Sequence, residues 1–185
     1  MIGGRSRAGP EAGYVGIGSN IEPRENVRRA VRLLASRVRV TGLSTFYLTE
    51  PVGAAGEPRF VNGVAAIETA LSLEGMRALL SEIEDELGRR RSEDPNAARR
   101  IDLDLLLLGS RVAPGEGSRS PLPHPDIETR PYVALPLLEL APELVLPGSG
   151  RLLADVAAGF PGPGGTPLAG FTRDLRRLVG VDARG

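Results

Sequence analysis

The chain has 185 residues, of which 23 are acidic and 23 basic, with one histidine, no cysteine and no tryptophan. That length suits one domain with its own core, and the zero net charge argues against a broad nucleic-acid surface. The absence of cysteine excludes disulfides and thiolate zinc sites, every basic residue is arginine, which excludes Schiff-base and Walker-type lysines, and the single histidine leaves His124 as the sole base open to a serine triad.

Residues 14–17 read as a short strand ending in Gly18-Ser19-Asn20. Pro23 suits the first turn of a helix in which Val27, Ala30, Val31 and Leu34 repeat at helical spacing. Residues 38–48 alternate as a strand, 49–58 form a loop with two prolines and two glycines, and 60–69 return as a strand able to pair with the previous one. Ser72 is an N-cap for the strongest helix, with Leu73, Met76, Leu79, Leu80, Ile83 and Leu87 on one stripe and Gly88 to close it. After a polar stretch at 89–98, residues 101–108 form an apolar strand carrying two aspartates. This order, strand-helix-strand-strand-helix-strand, is the ferredoxin-like α+β arrangement, helices packed on an antiparallel sheet.

Beyond Gly109, prolines at 114, 121, 123, 125, 131 and 136 favour loops and short helical turns. Residues 159–170 read as a Gly/Pro-rich linker and 175–179 as a terminal helical turn. The domain is therefore expected over 14–158, between a disordered extension at 1–13 and a tail at 159–185. No apolar run approaches the roughly 20 residues of a membrane span, and the first twelve residues lack an apolar signal core, so a cytoplasmic protein is expected.

The segment with most chemical content is Arg99-Arg100-Ile101-Asp102-Leu103-Asp104-Leu105. Residues i and i+2 of a strand share a face, roughly 6.5–7 Å apart, so Asp102 and Asp104 project together while Ile101, Leu103, Leu105 and Leu107 face the other way. Two carboxylates on a buried strand repel one another and resist desolvation. A divalent cation relieves both costs, and magnesium takes one or two carboxylates plus phosphate oxygens; salt bridges to nearby arginines are the alternative. Glu84 edges the buried stripe of its helix, and Arg89, Arg90, Arg91, Arg99 and Arg100 flank the polar connection. Guanidinium forks grip phosphate oxygens bidentately, although a solvated helix end would also carry such residues.

His124 sits between two prolines in Pro123-His124-Pro125-Asp126, with Arg130 downstream, and is expected to be presented rather than buried. It can donate to a phosphate oxygen or be an ordinary turn histidine. Gly16-Ile17-Gly18-Ser19-Asn20 has the start of a dinucleotide fingerprint, but Ile21 stands at the third glycine position, so a tight strand-to-helix turn is expected. Phe60 and Tyr132 adjoin loops and can sandwich a planar ring or pack in the core.

Taken in order, these residues resemble the 6-hydroxymethyl-7,8-dihydropterin pyrophosphokinases, a family of folate-pathway enzymes. The resemblance runs from about 14 to 156. It is carried by Gly18-Ser19-Asn20, Ser44-Thr45-Phe46-Tyr47, Thr49-Glu50-Pro51-Val52-Gly53, Phe60-Val61-Asn62, Arg99 with Ile101-Asp102-Leu103-Asp104, Pro123-His124-Pro125, Arg130, and Pro136-Leu137-Leu138-Glu139-Leu140-Ala141-Pro142. It implies a ferredoxin-like fold and an enzyme that transfers pyrophosphate from ATP to the pterin hydroxymethyl group, releasing AMP. Apart from the resemblance, a monomer is expected, and the charge balance and lack of an apolar span give neither nucleic acid nor membrane as partner.

By the same resemblance, Asp102 and Asp104 bind two Mg²⁺ ions, and Arg89 and Arg99 stabilise the transferred group. Glu84, Arg91, His124 and Arg130 join Arg89 and Arg99 around ATP. Phe60 and Tyr132 stack on the pterin, and Thr49, Pro51, Val52, Asn62 and Asp102 complete its pocket. One departure stands out: the family commonly has Gly-Pro immediately before the arginine at 99, often with a tryptophan upstream, where this chain has Pro95-Asn96-Ala97-Ala98. Two other readings share the fold: a nucleic-acid or small-ligand binding module, and a different magnesium-dependent phosphoryl or nucleotidyl transferase.

Overall fold

The computed structural model describes residues 9–51, 58–88, 100–117, 119–162 and 164–182. β1 (Glu11–Ser19) begins three residues before the expected start, its first residue held by Arg111, whose Nη2 lies 2.6 Å from Glu11 Oε1. α1 (Pro23–Arg37) has Pro23 in its first turn and buries Val27, Ala30, Val31 and Leu34, as the spacing requires. The strand expected over 38–48 is two strands, β2 (Arg39–Leu43) and β3 (Tyr47–Thr49). The chain breaks there because Ser44 bonds β4 (Phe60–Thr69) through both its main chain and its side chain: Ser44 N–H donates to Val64 O at 2.9 Å, and Val64 N–H donates to Ser44 Oγ at 2.8 Å. Phe46 then turns fully inward over Gly63, where a Cβ would stand 2.6 Å from the ring.

α2 (Leu73–Glu86) starts at Ser72, whose Oγ accepts from Gly75 N–H at 3.1 Å, and ends before Gly88, which adopts φ +76°. β5 (Asp102–Leu108) pairs antiparallel with β1. The register shifts there, Tyr14 facing Leu107 and Val15 facing Leu105, so Leu106 is an extra residue in the ladder. That bulge turns Leu107 to the opposite side from Leu103 and Leu105, correcting the simple alternation expected from sequence.

α3 (Asp126–Thr129) is one turn, and α4 (Pro131–Leu140) runs for ten residues through Pro136 where only short turns were expected. Pro136 forfeits one backbone hydrogen bond, but burial of Val133, Ala134 and Leu137 holds the helix. α5 (Leu153–Ala158), β6 (Gly165–Pro167) and α6 (Ala169–Val179) complete the chain. The linker expected at 159–170 thus contains a strand, and the terminal turn is an eleven-residue helix burying Phe171, Thr172 and Leu175.

The sheet is antiparallel throughout, in the order β5-β1-β4-β3-β6, with β2 beside β4. With β2 and β3 taken as one interrupted strand, the first four positions are those of the ferredoxin-like sheet. One face buries Val15, Ile17, Val61, Ala65, Leu103 and Leu105 beneath α1, α2 and α6. The other buries Val64, Leu106 and Leu107 beneath α4 and α5. Among the described residues no helix is long and apolar enough to cross a membrane.

Candidate active site

On the α4 side of the sheet, strand register sets up the site. Asp102 on β5 pairs with Gly18 on β1, which pairs with Asn62 on β4; the next row is Asp104, Gly16 and Val64. Directly paired residues share a face, so both aspartates, both glycines and Asn62 look the same way. Gly16 and Gly18 lie within β1, not in the tight turn expected of them; that turn comes after Ser19, with Glu22 at φ 41°. What the glycines supply is room. A Cβ at Gly18 would stand 2.6 Å from Asn62 Oδ1, and one at Gly16 would stand 3.4 Å from Leu106. A bare stretch of β1 therefore forms the floor of a cleft of about 380 Å³.

β5 is an edge strand, and its amide between the two aspartates is not left to solvent: Leu103 N–H donates to Glu84 Oε1 at 2.7 Å. Glu84 is 7% exposed and lies outside the cleft lining, so from α2 it fixes the backbone that carries both carboxylates. Ser19 adds a second tie, its hydroxyl donating to the Arg100 carbonyl just before β5.

Thr49, Glu50 and Pro51 form one part of the wall with Phe60. Asn62 Nδ2 donates to Thr49 Oγ1 at 2.8 Å, which fixes the amide orientation and leaves Oδ1 over Gly18. Ser120, His124, Asp126, Arg130 and Tyr132 form another part. Phe60 and Tyr132 thus both line the cleft, from β4 and α4 respectively, each half-buried.

His124 is 7% exposed, which corrects the expectation that flanking prolines would present it. Its N–H donates to Leu106 O at 2.9 Å, drawing the ring against β5. Asp126 N–H donates to Nδ1 at 3.2 Å, so in the neutral ring Nε2 carries the proton, 3.9 Å from Asp104 Oδ1. Burial lowers the imidazole pKa, opposed by the charges of Asp126 and Asp102. Arg130 Nε is buried with no hydrogen-bond acceptor among the described residues, 3.9 Å from Asp126 Oδ1. An anionic oxygen would satisfy it. Burial also raises the Tyr132 phenol pKa.

Among the described residues no three His, Cys, Asp or Glu side chains cluster as a closed metal centre. The donors present are two carboxylates on one strand face. Hard oxygen donors in that number suit a magnesium ion that keeps positions for water and phosphate oxygens. Arg89, Arg91, Arg99 and Val52, with the 95–98 departure, lie outside the described residues.

Sequence reasoning missed Asp126, whose amide sets the His124 tautomer; the signal was its place in Pro-His-Pro-Asp at the first turn of α3. It also missed the floor role of Gly16 and Gly18, which alternate with buried Val15 and Ile17 as strand residues do.

A model of the 7,8-dihydro-6-hydroxymethylpterin-pyrophosphokinase family matches residues 14–142. A Pseudomonas aeruginosa protein named 2-amino-4-hydroxy-6-hydroxymethyldihydropteridine pyrophosphokinase is 39% identical over 160 residues, covering 85% of this chain and 96% of its own. A Haemophilus influenzae protein of the same name is 38% identical over 139 residues, covering 74% and 85%. A Synechocystis protein, again so named, is 34% identical over 165 residues, covering 84% and 83%. With the sheet order and the carboxylate-bearing cleft, these matches show that the chain belongs to the 7,8-dihydro-6-hydroxymethylpterin-pyrophosphokinase family.

Proposed function

We propose that this chain transfers the terminal pyrophosphate of ATP to the hydroxymethyl group of 6-hydroxymethyl-7,8-dihydropterin, in folate biosynthesis. The observation that carries the reading is the cleft floor, where Asp102, Gly18 and Asn62 lie in one row across three strands. That row sets charge-binding groups beside a polar amide, with bare backbone between them. The hydroxymethyl oxygen bonds the β-phosphorus, the bond from that phosphorus to the α,β-bridging oxygen breaks, and AMP leaves with that oxygen. Such transfer asks the protein for alignment and charge neutralisation more than for covalent chemistry.

Asp102 and Asp104 would hold Mg²⁺, two ions in this reading, which when bound neutralises phosphate charge. His124 donates from Nε2 to a phosphate oxygen, and Arg130 supplies its buried Nε–H to another. Arg89, Arg91 and Arg99 surround the triphosphate. Glu84 serves the nucleotide end through the Leu103 amide. Phe60 and Tyr132 take the pterin ring between them, while Asn62, Thr49, Pro51 and Val52 meet its polar edge. Asp102 is the carboxylate nearest to receive the hydroxyl proton.

Phosphorus NMR of the protein with ATP, Mg²⁺ and the pterin tests this reading. AMP and a pterin diphosphate ester should appear in the complete mixture and vanish when any component is omitted. ADP as product would mean simple phosphorylation, and inorganic pyrophosphate nucleotidyl transfer; either would overturn the reading.

A further inference from the structure

The family match covers residues 14–142, yet residues 165–176 return to pack behind β3, whose Thr49 stands in the wall of the cleft. β6 pairs antiparallel with β3, Thr49 opposite Gly165, Leu48 opposite Thr166 and Tyr47 opposite Pro167. The approach is close enough that a Cβ at Gly165 would stand 2.6 Å from the Leu48 carbonyl oxygen. At the break before β3, both backbone groups of Phe46 are satisfied by the same segment. Its carbonyl accepts from Leu168 N–H at 2.8 Å, and its N–H donates to Thr172 Oγ1 at 2.9 Å in a buried bond. The Phe46 ring meets Phe171 edge-on at 6.2 Å, and Arg176 Nε–H donates to the Leu43 carbonyl at 3.0 Å.

These contacts converge on the three-residue strand β3 and the chain leading into it. A strand so short, with β4 as its sole neighbour, would be weakly held. Its last residue is Thr49, which lines the cleft and receives the Asn62 amide. We propose that residues 165–176 are a positioning element for the pterin end of the cleft, holding β3 in register so that Thr49 keeps Asn62 oriented. This inference rests on the reading that the pterin meets Asn62 and Thr49. Thr172 and Gly165 are its positioning residues: one satisfies the buried Phe46 amide, the other lets β6 close on β3.

Steady-state kinetics on Thr172→Val, Thr172→Ser and Gly165→Ala test it, with pterin varied at saturating ATP and Mg²⁺ and then ATP varied at saturating pterin. Thr172→Val strands a buried donor, and Gly165→Ala sets a methyl 2.6 Å from the Leu48 carbonyl oxygen and 2.8 Å from Thr49 Cγ2, displacing β3 without touching Phe46. Each should raise the pterin KM by about fivefold or more while the ATP KM stays within about twofold. Thr172→Ser keeps the hydroxyl and should behave as the unaltered protein. A lowered melting temperature with unchanged pterin KM in both disruptive variants would make the segment a support of the fold alone and overturn the inference. Equal rises in both KM values would overturn it too. Failure of the unaltered protein to turn over the pterin would instead overturn the functional reading, and with it the inference built upon it.

Discussion

Gly18→Ala isolates the role of the cleft floor. Gly18 carries no positive φ, so alanine can take its backbone conformation, and the gain from a stiffer unfolded chain is about 0.4–1 kcal/mol. Against this, the new methyl would stand 2.6 Å from Asn62 Oδ1, and the amide must swing away. That breaks the 2.8 Å bond to Thr49 Oγ1, a net loss of about 0.5–1.5 kcal/mol. The two changes nearly cancel, so the melting temperature should move little. If Asn62 reads the pterin as proposed, its recognition should fall further, because the turned amide withdraws that hydrogen bond; about 1.4 kcal/mol of loss is a tenfold rise in pterin KM. Gly16→Ala is the comparison: its Cβ meets Leu106 at 3.4 Å, ordinary contact, and should raise the pterin KM less. Thermal melts and pterin kinetics on both proteins decide the matter. An unaltered pterin KM in Gly18→Ala would refute the reasoning.

Three further outcomes are expected. Glu84→Ala removes the acceptor of the Leu103 amide and should cost about 1–3 kcal/mol in urea unfolding, Glu84→Gln less; equal stability of Glu84→Ala and the unaltered protein would dismiss the tie. Phe60→Ala should raise the pterin KM about tenfold with little change for ATP, and equal effects on both would place Phe60 in the core instead. Tyr47 is held up to about 12 from an ordinary 10.0, first by burial and then by its bond to Glu139. It keeps its proton in the fold while the unfolded chain loses it, so stability should fall as pH rises from about 10 towards 12. Tyr47→Phe should delete a phenolate step at about 12 from the absorbance titration; a titration that keeps that step would contradict the assignment.

Local periodicity made much of this fold legible. The apolar stripes of α1 and α2 and the Ser72 cap needed no tertiary information, and β4 spans the expected residues. The pair of aspartates on one strand face was readable because the alternation of β5 holds up to Leu105. What was not legible depends on partners distant in sequence. The break at Ser44 exists because of Val64, and the inward turn of Phe46 because of Gly63. The bulge at Leu106 shows only against β1. The full length of α6 is masked by its Gly/Pro-rich approach, which reads as linker, although Phe171 and Leu175 lie four residues apart, one helical turn, and both are buried in the core. His124 is buried because its main chain bonds β5, which flanking prolines cannot reveal.

Pyrophosphoryl transfer is proposed to occur over the carboxylate row of β5. Its most direct test is AMP formation, followed by phosphorus NMR, in Asp102→Asn and Asp104→Asn proteins whose melting matches the unaltered chain. Each change removes a charge that the proposed reaction uses, so turnover should fall by about 10²–10³-fold in either. Full magnesium-dependent turnover in both variants would contradict the account.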